Sequence, residues 1–101
     1  MKKLSIVVHT SLQQELADCL RSLKLKSFMF SHTEEHSSQL KQDAFLSARD
    51  KVVGYVPKVR VDILLEDERA KTLIDELRGS GVSFAGKGSY WVGDVEKVGE
   101  L

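Results

Sequence analysis

The chain has 101 residues, 42% of them hydrophobic and 30% charged, which excludes a disordered or fibrous polymer and leaves room for one small globular domain, residues 1–101. Fifteen basic residues balance fifteen acidic ones, so no global field draws the protein to nucleic acid or to an anionic membrane. No segment approaches the apolar length of a membrane span, and the apolar run after Met1, Lys2 and Lys3 is only a few residues long, so a cytoplasmic protein with no membrane insertion is expected.

The first element is a strand, since Leu4, Ile6 and Val8 alternate with Ser5, Val7 and His9. Thr10 or Ser11 can then cap a helix, with Gln13 or Gln14 three residues on completing a capping box. Leu12, Leu16, Cys19, Leu20 and Leu23 make one helical stripe, which predicts a helix over about 11–24 and a buried thiol at the single cysteine. A second strand places Phe28 and Phe30 on one face. The same alternation carries His32, Glu34 and His36 onto that face, so its apolar side turns polar partway along.

Residues 37–55 form a connection too long for a hairpin loop, and loops of that length in a compact domain are usually functional. Asp43, Ala44, Phe45, Ala48 and Val52 are spaced for a short helix within it. Strand three is clean: Val59, Val61, Ile63 and Leu65 share one face, and Lys58, Arg60, Asp62 and Leu64 the other. Glu66, Asp67 and Glu68 favour a helix N-terminus through its dipole. Ala70, Leu73, Ile74 and Leu77 form that helix's stripe, and Gly79 ends it with an expected left-handed cap. Tyr90 to Val95 is a last strand.

This order is a ferredoxin-like split βαβ arrangement (βαββαβ), an α+β fold in which a four-stranded antiparallel sheet carries two helices on one face. The other face would be bare. Val7, Met29 and Leu64 on it suggest that another subunit covers it, and Tyr90 and Trp91 suit the same packing.

Residues 57–65 (PKVRVDILL), Glu66-Asp67, residues 86–92 (GKGSYWV) and residues 95–98 (VEKV) together resemble the PII signal-protein family and its PII-like, nitrogen-regulatory relatives. The resemblance implies a homotrimer of ferredoxin-like subunits with ligand sites in the clefts between them. It implies an adenine nucleotide as one candidate ligand, and a T-loop-like arm at 37–55 that docks on a regulated protein, with a membrane transporter or efflux system as one candidate. Gln39, Phe45, Arg49 and Lys51 are the arm residues it singles out. Lys87 stands where the family has an aspartate, and Ser89 where it has a lysine. CutA, a related trimer linked to metal tolerance, shares the architecture.

Two clusters carry chemistry of their own. Successive backbone N–H groups in a loop such as Gly86, Lys87, Gly88 and Ser89 can cradle an anion. His32, Glu34 and His36 offer two imidazoles and a carboxylate on one side, the set for a divalent metal such as Zn, Ni or Cu, to which His9 or a neighbouring subunit could add a ligand. This supports an alternative function, a heavy-metal-binding protein related to metal tolerance or efflux. No serine or Cys19 has a recognisable base partner in the sequence, so an enzyme is not expected.

Overall fold

The computed structural model describes residues 1–38, 54–84 and 88–101. Along the chain these form β1 (Lys2–His9), a 3-10 turn (Thr10–Leu12), α1 (Gln13–Ser22), β2 (Met29–Glu35), β3 (Val56–Leu65), α2 (Asp67–Arg78) and β4 (Ser89–Asp94). The strands make one sheet in the order β2-β3-β1-β4, antiparallel at every seam. This is the expected α+β, ferredoxin-like βαββαβ fold.

The period-two pattern of the central strands decides the layers. Leu4, Ile6 and Val8 of β1 pair with Ile63, Val61 and Val59 of β3, so their side chains share one face. Those residues, with Leu65, are buried there under Leu16 and Leu20 of α1 and Leu73 and Leu77 of α2. Each such side chain contributes about 1.5–3 kcal/mol by leaving water. Cys19 is buried among them, as its place in the α1 stripe predicts.

Both helix boundaries depart from the sequence reading in informative ways. The start of α1 has no serine or threonine cap. Instead, Ser11 donates its backbone N–H to Nδ1 of His9 at 3.1 Å, and the chain tightens into the 3-10 turn before the α-helix begins at Gln13. The imidazole satisfies a donor that the expected hydroxyl cap would have served. At the other end of α1, Lys24 adopts a left-handed backbone, φ 61°. Its N–H reaches the carbonyl of Arg21 at 3.0 Å, and that of Leu25 reaches Leu20 at 3.4 Å. This is the Schellman closure, usually made by glycine, with Leu25 packed on the core as the accompanying hydrophobic contact.

At the end of α2 the expected left-handed glycine is displaced by two positions. Gly79 is right-handed, φ −84°, and closes the helix through its N–H to Asp75 at 3.0 Å. Gly81, φ +91°, makes the left-handed bend. Ser80 explains the offset. Its N–H and hydroxyl both donate to the Leu77 carbonyl, at 3.2 and 2.6 Å, so the chain leaves the helix without reversing at Gly79.

Near the other end of the sheet, Lys2 pairs with Asp94 across the β1–β4 seam. The Met1 ammonium donates to Asp67 Oδ1 at 2.9 Å, a hydrogen bond that holds this carboxyl below its ordinary range. These contacts tie the start of β1 to the end of β4 and the start of α2.

A non-glycine residue in the left-handed region carries a steric penalty. Lys24→Gly is therefore expected to stabilise the protein by up to about 1 kcal/mol, read as a higher urea midpoint with an unchanged slope.

Candidate functional site

One pole of the sheet collects most of the sequence-predicted site residues that fall among the described ones. Its register pairs His9 with Lys58, Val7 with Ser89, and Glu35 with Val56. The C-terminal ends of β1 and β2 therefore meet the N-terminal ends of β3 and β4. Gly88 and Ser89 finish the glycine-rich loop here, and both roots of the 37–55 connection, on β2 and β3, leave from the same pole. The glycine-rich loop is on the β4 edge, and the two roots lie two and three strand spacings from it, about 10 and 14 Å.

Gly88 packs closely against β1. A Cβ built on it would meet Cγ1 of Val8 at 3.2 Å, so that methyl would have to give by a few tenths of an ångström, and would make ordinary contact with the Val7 carbonyl at 3.7 Å. Gly86 and Lys87 lie outside the described residues. Arg78, at the end of α2, stands over the Tyr90 ring with its guanidinium carbon 5.8 Å from the centroid. Sequence reasoning did not single out Arg78, because it belongs to no motif and its partner lies on another element.

The histidine strand does not gather a metal set. His32 and Glu34 face the helix side, opposite Val59 and Pro57. His36 Nε2 lies 3.1 Å from Glu34 Oε1, and the His36 ring sits 5.7 Å from that of Tyr55. Among the described residues, no three His, Cys, Asp or Glu side chains come together as a metal ion requires. Glu34 and His36 meet, but His32 does not join them: it sits on β2 a further alternate position, about 6–7 Å, back along the strand. His9 cannot complete the set: it shares the Lys58 and Thr33 face, opposite to His32, and β3 stands between β1 and β2.

The expected arm residues Gln39, Phe45, Arg49 and Lys51, and the short helix expected at 43–52, lie outside the described residues. At the arm's root, Lys58 Nζ pairs with Glu35 Oε2 at 3.2 Å across the β2–β3 seam.

The face away from the helices is mixed. Trp91, Leu64 and Met29 are exposed at 50%, 50% and 70%, and Val7 is half-buried. Among them Ser5 is only 1% exposed. Its hydroxyl donates to Asp62 Oδ1 at 2.6 Å, and Arg60 Nε donates to the other oxygen of the same carboxylate at 3.1 Å. Only the β1–β3 register reveals this triad, since Ser5 and Asp62 are far apart in sequence and face each other across the seam.

The fold and this pole define a class: a small ferredoxin-like domain with a glycine-rich turn before its last strand and a long connection between its second and third. The whole chain, residues 1–101, matches the family described as "Protein of unknown function (DUF3240)", and it belongs to that family. It is also similar to the nitrogen regulatory protein P-II of Rhizobium meliloti (strain 1021). The two are 25% identical over 99 residues, covering 97% of this chain and 88% of that protein.

Asp62→Ala would leave the buried Ser5 hydroxyl without its acceptor. It is expected to cost about 1–3 kcal/mol in a denaturant titration, and Ser5→Ala combined with it should restore part of the loss.

Proposed function

We propose that this chain is a PII-like regulatory protein. It binds a small anionic ligand beside the loop of Gly86, Lys87, Gly88 and Ser89, and signals to a partner protein through the 37–55 arm. The observation that carries this reading is the shared pole: the end of the glycine-rich turn and both roots of the long connection emerge from the same end of one sheet. Similarity to a P-II protein along nearly the whole chain supports it. No catalytic step is part of the reading, and the regulated partner is a protein, with a transporter or efflux system among the candidates.

The subunit acts as a homotrimer in the cytoplasm. The exposed Met29, Leu64 and Trp91, with half-buried Val7, support an assembly that covers the open face. No helix among the described residues is long and apolar enough to cross a membrane. An adenine nucleotide is the first ligand to test, because loop N–H groups and Lys87 suit phosphate. The histidine reading is not carried forward, since His32, Glu34 and His36 are not gathered.

Native mass spectrometry with ATP, ADP and cyclic AMP added in turn tests the proposal. A trimer that takes up one nucleotide per subunit, and loses that uptake in Lys87→Ala, is the expected result. A monomer that binds none of them at millimolar concentration would overturn it.

A further inference from the structure

A cleft of about 260 Å³ opens between the end of α2 and the start of β4. Its floor is core: Val8 and Leu77 are buried. Ile74 and Phe84 wall it, and Arg78 and Tyr90 stand at its rim. Among the described residues that line it, Arg78 is the one charged group, and no carboxylate is among them. The guanidinium is mostly exposed, and its Nη1 lies 3.8 Å from Asp75 Oδ1, beyond hydrogen-bond length. A helix C-terminus ordinarily repels an anion. Here Gly79 and Ser80 occupy the Asp75 and Leu77 carbonyls and blunt that negative end.

We propose that this cleft binds a small anion with an apolar body, specifically a monocarboxylate carrying an aromatic or branched hydrocarbon group. The walls would bury the hydrocarbon, and Arg78 would take the carboxylate by charge-assisted hydrogen bonds. Size argues against a whole nucleotide here, because the volume falls below the roughly 300–1,000 Å³ of sites for drug-sized ligands. Gly88 is part of the design, since a side chain there would press on Val8 and intrude on the floor. The site goes beyond the reading above because every residue named lies within one subunit, and it needs neither assembly nor the 37–55 connection.

The test is a methyl NMR titration of the full chain with 3-phenylpropionate, beside 3-phenylpropan-1-ol (same body, no charge) and propionate (same charge, no body). The expected result is saturable shifts of the Ile6, Val8, Ile74 and Leu77 methyls with the acid, and binding weaker by about tenfold or more for either comparator. Arg78→Gln, at an exposed position, should weaken the acid by about the same factor while leaving the alcohol unchanged. Ile74→Trp should fill the cleft and abolish the shifts. The proposal is overturned if the acid leaves these methyls unmoved, if the alcohol binds as tightly as the acid, or if Arg78→Gln binds the acid undiminished. ATP uptake and subunit mass measured on the same sample keep failure of the cleft distinct from failure of the regulatory reading.

Discussion

The register between the two central strands, from Lys2 opposite Leu65 to His9 opposite Lys58, is the constraint on which the rest of the molecule depends. Side chains alternate with a period of two, so a slip of one residue would turn Leu4, Ile6 and Val8 to the open side and bring Ser5 and Val7 under the helices. Neither helix could then bury its stripe. The same alignment sets the edge strands, because β2 takes its position from β3 and β4 from β1. The pole bearing Gly88, His9 and Lys58 exists because these two strands stop together.

The two faces of the sheet are held to that register by different chemistry. On the helix side the pairing is apolar and tolerant, since similar aliphatic side chains can substitute for one another. On the open side it is polar and specific. Ser5 and Arg60 converge on one carboxylate, and no buried side-chain nitrogen or oxygen among the described residues lacks a partner. A buried hydroxyl is costly without its acceptor, so the triad adds its own penalty for the wrong alignment to that of the aliphatic face. It also places charge in the middle of a surface otherwise marked by Trp91, Leu64 and Met29. Any chain that covers this face has to accommodate Arg60 as well as the apolar residues.

Elements whose signal is local were legible in the sequence. The alternation of β3, the α2 stripe, the acidic start of that helix and the buried cysteine all follow from period and propensity. Features that depend on backbone path or on distant partners were not. The His9 cap replaces a hydroxyl cap that the sequence offers equally well. Lys24 occupies a backbone region for which lysine gives no cue, and Gly79 and Gly81 exchange roles because a serine intervenes. Gly88 and Ser89 were singled out by composition as candidates, whereas Arg78 and the cleft beneath it became visible only when α2 was laid beside β4. The spacing of His32, Glu34 and His36 suggested convergence, but only Glu34 and His36 meet, and His32 stays apart on the strand.

The pairing of Glu35 with Val56 holds the two ends of the long connection one strand spacing apart. What lies between them does not alter that distance, so the sheet hardly constrains its length. Closing a flexible loop costs entropy that grows only with the logarithm of its length, about 0.6 kcal/mol for each doubling. Residues can therefore be gained or lost there with little effect on the fold. The connection is the part of this domain whose length a lineage can change while keeping the core that presents it.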